Sequence, residues 1–413
     1  MLKNYLLTAY KVFLRRKLFT LINLLCIVLT LVVLMVVTAL LQNTFYPTGV
    51  EGKSERFLQV MVIEARSPDG KSRHISPLGY KIIEQYLKPM QSAERVAAVT
   101  LPRTVAVYQD GNVSELEMRR ADADYWKILD FTVLAGRLPT ADDDAAGRLV
   151  AVVNASSARK LFPGAGALGQ AISVSGQQFT IIGVVQDEMQ LNAYADIWAP
   201  ITSFPSSDYR KEFNGEFAAL ILAKRRADLP AIRADVQRIA STVVFDDPKK
   251  LSRALFYADS KIDMFARMTI GNQDSADSGA ATMLGAIVGV MFLFMLLPAL
   301  NLVNLNTGRI MERSAEIGVR KAFGATSAQL IGQLVIENVL LCLAGGVLGM
   351  LCAQGVLWWL EQSNLIPYLR VSINVAVLAW GLLITVVFGL LSGVLPAWKM
   401  ARLDPVHALK GNA

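Results

Sequence analysis

Two histidines and three cysteines in 413 residues leave little from which to build a multi-ligand metal site or a Cys/His nucleophile pair. Charge is also scarce, at 18% of residues against 53% apolar. It is absent altogether from four stretches, Leu18–Val50, Ser278–Gly308, Asn338–Leu360 and Val371–Trp398. Each stretch has at least the ~20 residues that a helix needs to cross about 30 Å of hydrocarbon, so four transmembrane helices are predicted and a purely soluble chain is excluded. The first has a longer apolar core than the roughly 7–15 residues of a signal peptide and is followed by no A-x-A-like site, which makes it an uncleaved anchor.

The net charge of +7 is unevenly spread. Residues 1–17 hold Lys3, Lys11, Arg15, Arg16 and Lys17 and no acid; the loop 309–321 sums to +2, the tail after Trp398 to +2, and residues 51–281 to −1. The positive-inside rule therefore places both termini and the 309–321 loop in the cytoplasm and the large, nearly neutral domain outside. Basic residues gathered beside membrane spans argue against a nucleic-acid footprint and for contact with anionic lipid. Leu2, Leu6, Ala9 and Phe13 share one helical face while Lys3, Lys11 and Arg15 take another, which suits a segment lying on the inner leaflet or a plain stop signal. Lys11, Arg15, Arg16 and Lys17 are its candidate membrane anchors.

All three cysteines, Cys26, Cys342 and Cys352, fall inside predicted spans, so no disulfide holds the outer domain and a hydrophobic core must. Its pattern is mixed. Strand-like runs occupy Phe57–Ile63, Val96–Thr100, Thr104–Tyr108, Leu149–Val153, Ala171–Val174, Phe179–Val185 and Glu216–Ala223. Helical spacing marks Pro77–Tyr86, Ala123–Ile128, Ser156–Leu161 and Leu229–Thr242, and Ser175–Gln178 reads as a hairpin turn. An α+β domain in two lobes is predicted, with an inserted lobe over about 105–205.

Three strings there invite false readings. Gly164-x-Gly166-x-x-Gly169 matches a dinucleotide fingerprint, but it follows a helix end and leads into a strand, the reverse of the required order. The acidic run Asp142–Asp144 reads as solvated charge on a loop, since consecutive residues point apart and no EF-hand spacing follows. His74, with no second histidine nearby in sequence, reads as a surface loop residue. No catalytic constellation assembles, so the chain is read as a non-enzyme with no cofactor or metal of its own.

The cytoplasmic edge is more informative. Charges from Arg309 to Lys321 recur at helical spacing, Glu316 with Arg320 forming an acid-first i,i+4 pair, so a short polar helix stopped by Gly324 is predicted, with a new helix starting at Thr326 or Ser327. Such a helix is either a solvated linker or a docking element. Gly345, Gly346 and Gly349 make a small-xxx-small stripe in the third span, for packing within the chain or against a second copy. Glu337 lies near the inner end of that span, where a carboxylate can reach the interface, and Pro298 can kink the second.

The run Glu316-Ile317-Gly318-Val319-Arg320-Lys321-Ala322-Phe323-Gly324-Ala325, followed by Glu337, resembles the cytoplasmic motif of MacB/LolC/FtsX-type ABC transporter permeases, the mechanotransmission family. The tail Pro396-Ala397 to Leu403-Asp404-Pro405-x-x-Ala408-Leu409 is similar to that family's ending, and Tyr125–Arg137 with Gly169–Val185 to its MacB-type outer domain. The resemblance implies a membrane α-helical protein with an α+β domain inserted between helices 1 and 2. The implied divisions are 1–17, spans 18–45, 278–305, 334–360 and 372–396, an outer domain 46–277, a coupling segment 306–333, an outer loop 361–371 and a tail 397–413. It implies that Glu312, Arg313, Glu316, Ile317, Gly318, Arg320, Lys321, Gly324 and Ala325 meet an ATPase subunit binding ATP and Mg. That subunit is expected as a separate chain, because no G-x4-G-K-[ST] string occurs and only 17 residues precede the first span. A second permease, a periplasmic adaptor and an outer-membrane duct are further implied partners, with efflux the favoured role and control of an envelope hydrolase or lipoprotein release the alternatives.

Overall fold

In the computed structural model, residues 17–46, 49–109, 111–272, 274–312, 319, 323, 326–363, 365–369 and scattered positions from 379 to 390 are described. The chain divides into two compact units, one of residues Asn43–Met283 and one of Met1–Gln42 with Leu284–Ala413.

The elements in chain order are α1 (Lys17–Phe45), β1 (Phe57–Val60), β2 (Val62–Arg66), β3 (Arg73–Pro77), α2 (Tyr80–Ile82, widening to a π turn over Ile83–Leu87), β4 (Ala93–Thr100), β5 (Arg103–Gln109) and β6 (Asn112–Ala121). There follow α3 (Tyr125–Ile128), β7 (Val133–Gly136), α4 (Ala141–Ala145), β8 (Val150–Asn154), α5 (Ala155–Leu161), β9 (Ala171–Val174), β10 (Gln177–Val185), β11 (Ile197–Pro200) and β12 (Phe217–Ala223). The last are α6 (Leu229–Thr242), β13 (Arg253–Leu255), α7 (Lys261–Ile270), α8 (Ala280–Glu312) and α9 (Ser327–Gln362).

The outer unit is built on one ten-stranded sheet ordered β1-β12-β4-β6-β11-β8-β10-β9-β5, with β7 paired to β10. Because β5 also pairs β6, the strands from β6 round to β5 close into a six-stranded barrel. Closure removes the free edges that an open sheet would leave. Val107, Leu116, Met118, Val153, Val174, Phe179, Ile181 and Ile197 fill it. The barrel's elements run from Arg103 to Pro200, over the stretch where the sequence predicts an inserted lobe.

The remaining open part, β1-β12-β4, is covered on both faces, and β12 shows why its sequence lacks alternation. Phe217, Ala219, Ile221 and Ala223 face Ile232 and Val236 of α6 and the helix at Ile82–Leu87. Ala218, Leu220 and Leu222 face Tyr125, Trp126, Phe131 and Trp198. A strand buried on both sides must be apolar throughout. A separate three-stranded sheet, β13-β2-β3, packs into the first of these cores through Ile63, Ala65 and Ala254.

Several sequence readings change. The run Phe57–Ile63 is two strands, because the chain leaves the large sheet at Met61 and β2 joins the small one. His74 lies on β3, not in a loop, and is exposed there. The helix expected from Pro77 starts at Tyr80, since Pro77 closes β3. The hairpin turn is only Ser175-Gly176, both with positive φ (51° and 79°), so Gln177 already pairs with Val174.

Asp142–Asp144 is the largest correction. The run forms α4, and Asp143 is fully buried, not solvated. Its carboxylate accepts from Arg137 Nη1 and Nη2 and from Arg148 Nη1 at 2.5, 3.1 and 2.9 Å, and it completes a capping box with Thr140. The Arg137 guanidinium holds this carboxyl well below the usual carboxylate range.

Two helical stretches, Thr20–Phe45 and Val335–Gln362, are long and apolar enough to cross a membrane. α8 adds the apolar stretch Ala280–Phe294 and continues past Pro298 to Glu312. The fourth predicted span, Val371–Trp398, lies almost wholly outside the described residues. α9 starts where the sequence predicts, with Thr326 as N-cap in a capping box with Gln329.

On α9 every fourth residue is buried, Gln333, Glu337, Leu341, Gly345, Gly349, Ala353 and Leu357 in turn, and on α1 so are Asn23, Ile27 and Leu31. A Cβ added to Gly345 would lie 2.7 Å from Ile27 Cγ2, and one on Gly349 3.0 Å from Leu31 Cβ. Small residues at this spacing let two helices approach closely. Both helices advance by four between these contacts, so α1 and α9 pack in parallel. Gly345 and Gly349 thus serve packing within the chain, and Gly346 is buried beside them. Glu337 does not reach out to an interface: it is 1% exposed and accepts a hydrogen bond from Gln333 Nε2 at 3.1 Å.

Candidate functional site

The predicted coupling residues Arg313, Glu316, Ile317, Gly318, Arg320, Lys321, Gly324 and Ala325 lie outside the described residues, as do the anchors Lys11, Arg15 and Arg16. Glu312 closes α8, and Lys17 opens α1 with an exposed side chain. The described chemistry concentrates instead at the root of the outer unit, where the chain enters after α1 and leaves before α8.

α7 organises this root. Ser260 caps its N-terminus in a capping box with Asp263, and Gly271, with φ 78°, closes it in the left-handed conformation that favours glycine. Between these caps the helix aims its charges inward. Lys261 Nζ lies 2.6 Å from Glu51 Oε2, with side chains only 4% and 0% exposed. Glu51 Oε1 accepts from Asn192 N and Nδ2 at 3.0 and 2.9 Å, so the buried carboxylate is satisfied on both oxygens. Taking one member from such a pair strands the other in low dielectric and costs about 3–5 kcal/mol.

The network extends into the barrel lobe through the loop between β10 and β11. Tyr125 Oη donates to Asn192 O at 2.7 Å. Arg119 on β6 donates to Leu191 O and Tyr194 O, each at 2.7 Å. Burial lowers the Arg119 pKa and raises that of the Tyr125 phenol, each away from its charged form.

The outgoing segment is held as firmly. Arg267 pairs with Asp259 at 2.8 and 3.0 Å, and its Nη1 donates to Asn272 O and Ser275 O at 2.6 and 2.7 Å. Burial pushes the Asp259 carboxyl up, with Arg267 opposing the shift. Asp263 accepts from Ser278 Oγ at 2.7 Å and pairs with Arg233 Nη2 at 2.6 Å. Burial works against the Asp263 charge, but hydrogen bonds from Ser260 and Ser278 and the charge of Arg233 hold this carboxyl below its ordinary value. Gly279 abuts Ile270, whose Cδ1 a Cβ there would meet at 2.8 Å. On the incoming side Phe45 packs edge-on against Phe265, ring centroids 5.2 Å apart.

One ten-residue helix thus grips both chain crossings of the outer unit, Phe45–Glu51 on one side and Asn272–Gly279 on the other. The arrangement offers no nucleophile–base pair and holds two segments as one mechanical piece. Among the described residues, no group of three or more His, Cys, Asp or Glu is placed to hold a metal ion.

Sequence reasoning missed α7. Its run KIDMFARMTI carries Lys261 and Arg267 on the buried face, so the apolar period is broken by the residues that matter most. The available signal was Ser260-x-x-Asp263 before an apolar run, with Gly271 ten residues after Lys261.

Comparison with known proteins agrees with both halves of the chain. Residues 20–239 match the MacB-like periplasmic core domain, and residues 288–405 the FtsX-like permease C-terminal domain. The chain belongs to the MacB/FtsX-like family of ABC transporter permeases. Similar to this permease are the Bacillus subtilis (strain 168) "Uncharacterized ABC transporter permease YknZ", 26% identical over 78% of this chain and 77% of that one. Also similar is the Mannheimia succiniciproducens "Macrolide export ATP-binding/permease protein MacB", 24% identical over 73% of this chain and 44% of that one. The Pseudomonas aeruginosa "Pyoverdine export ATP-binding/permease protein PvdT" is 28% identical over 77% and 47%. The permease therefore spans less than half the length of these two export proteins. A solved periplasmic region of MacB from Actinobacillus actinomycetemcomitans aligns at 17% identity over 52% of this chain and 94% of that one, with a TM-score of 0.36. As a member of this family the permease is a membrane protein with an extracytoplasmic domain.

Proposed function

We propose that this permease converts ATP hydrolysis by a nucleotide-binding subunit into movement of its outer unit, driving efflux or release of a molecule from the outer side of a bacterial cytoplasmic membrane. The observation that carries the reading is the buried Lys261–Glu51 pair. It ties the segment that follows α1 to the segment that precedes α8, so displacement of either helix end is delivered to the barrel lobe through Asn192. In this reading the chain is not itself an enzyme, and ATP and Mg bind the partner. The 312–325 segment docks on that partner, Lys11, Arg15, Arg16 and Lys17 lie against anionic lipid, and a second permease completes the assembly.

Both termini are assigned to the cytoplasm. The parallel packing of α1 on α9 supports that topology, because two parallel spans require an odd number of crossings between them, and α8 supplies one. The names of the export proteins above support efflux over control of an envelope hydrolase or lipoprotein release, and in this reading a periplasmic adaptor and an outer-membrane duct complete the path. Purification of the intact complex from native membrane tests the assignment: an ATPase with adaptor and duct supports it, a peptidoglycan hydrolase supports the second reading, and absence of any ATPase defeats both. Glu316→Lys and Arg320→Glu are expected to separate ATP hydrolysis from transport without impairing insertion, and unchanged transport in both overturns the docking assignment.

A further inference from the structure

The small sheet β13-β2-β3 ends on β13, which pairs with β2 alone, so its other edge has no strand beside it among the described residues. Along such an edge every second backbone N–H and C=O is left for water or for another chain. A groove of about 370 Å³ follows that edge, wholly within the outer unit. One wall is the continuous run Ser252–Tyr257, which contains β13. The other is the C-terminal end of α6, with Gln237, Ser241 and the following Val243, and Ala276 of the outgoing segment completes the rim. Six consecutive residues on one wall, about 20 Å of chain if fully extended, make a groove shaped for a strand and not for a compact ligand.

Charge along the edge is unbalanced. The three strands set Arg253, Arg66 and Arg73 opposite one another in register, and like charges so placed repel. Asp274 answers two of them, lying 2.7 Å from Arg66 and 3.5 Å from Arg73, and Glu64 adds a second carboxylate beside Arg66. Arg253, exposed and on the groove's lining, has no acidic partner among the described residues, and neither has the exposed side chain of Lys249 just before the strand. A second copy of this chain would bring the same cations edge to edge, so charge favours a different and acidic partner.

We propose that this groove binds an extended segment of a partner protein, which adds a fourth strand beside β13 and sets an acidic residue against Arg253. In this mode of recognition main-chain hydrogen bonds supply affinity and side-chain contacts select the sequence. Ala276 on the rim follows Ser275, whose carbonyl Arg267 holds, so a bound strand also ties α6 to the outgoing crossing that α7 grips.

The probe is a blocked hexapeptide of alternating threonine and valine with one central glutamate, measured by surface plasmon resonance on the full chain in lipid nanodiscs with empty discs as reference. It is expected to bind saturably and about threefold more tightly than its glutamine analogue, an exposed ion pair being worth about that factor, with the lysine analogue weakest. Arg253→Gln should erase the preference for glutamate, and Arg253→Lys should keep most of it. Two further analogues, N-methylated on alternate amides in the two possible phases, tell strand addition from plain charge attraction, because only one phase faces β13: that one should lose binding and the other retain it. Loss in both phases or in neither, equal binding of the glutamate, glutamine and lysine peptides, a preference that survives Arg253→Gln, or no saturable binding overturns the inference. So does a peptide that binds only by splitting a dimer of the chain, which would assign the edge to a second copy.

Discussion

The outer and membrane units of this permease solve the same problem, holding distant segments together, with opposite chemistry. At the outer root the work is done by buried charges: Glu51, Lys261, Asp263 and Arg267 each meet partners from other elements. Along α1 and α9 it is done by the lack of side chains at Gly345 and Gly349, which lets Ile27 and Leu31 sit against backbone. The difference follows from solvent. Water competes for every polar group of the outer unit, so a polar tie is worth building only where it is sealed off. Hydrocarbon gives apolar side chains no reason to leave it, so helices there associate through close packing. The first kind of joint fails when one partner is removed, and the second when an atom is added.

The sharpest test of the polar joint is Lys261→Met, which strands Glu51 in the root. It is expected to destabilise the outer unit by about 3–5 kcal/mol, read as a lowered denaturation midpoint of the full chain. The double variant Glu51→Leu/Lys261→Met should recover only part of that loss, because it removes the stranded charge but leaves Asn192 N and Nδ2 without their acceptor. Under the proposed function the rescued variant should still hydrolyse ATP with its partner but transport less, since the tie to Asn192 is gone. Full transport by the double variant would show that the pair is structural only.

The steric joint should respond to the opposite change. Gly345→Leu places atoms where Ile27 already sits, 2.7 Å from the first of them, and is expected to cost about 2–3 kcal/mol in unfolding from mixed micelles. Gly355→Leu, on the same helix with nothing within 4 Å of its Cβ position, should be close to neutral. If both cost the same, the loss comes from glycine chemistry in general and not from the seam.

The two units were not equally legible in the sequence. Long charge-free runs mark α1, α8 and α9 unmistakably, and the Thr326-Ser327 pair sets the start of α9 to within one residue. The outer unit was read in pieces. Strands such as Ala171–Val174 and Phe217–Ala223 announce themselves because apolar runs sit between turns. β6 does not: NVSELEMRRA is half polar, and only the closure of the barrel around Leu116 and Met118 makes it central. Asp143 and α7 were missed for a shared reason. Sequence pattern equates charge with exposure, and here Asp143, Lys261 and Arg267 are buried because paired groups from elsewhere in the fold meet them.

Asp143 gives the smallest and most conditional of these effects, and it separates a buried charge near the surface from one at the root. Its guanidinium partners, Arg137 and Arg148, are themselves 49% and 55% exposed, so water screens part of the attraction and the pair is worth less than the Lys261–Glu51 tie. Asp143→Asn keeps the shape and an acceptor for Thr140 but removes the charge, and should cost about 1–2 kcal/mol at pH 7 through weakened charge-assisted hydrogen bonds. The pH dependence has a fixed sign. The folded carboxyl is held below its ordinary value, so its contribution is fully present above an unfolded carboxylate's pKa of about 4 and is lost as pH falls further. Denaturation midpoints of wild type and Asp143→Asn should therefore differ by a constant amount from pH 8 to about 5 and converge below about 4. A gap that stays open in acid would mean that α4 is held by its capping box with Thr140 and not by the two arginines.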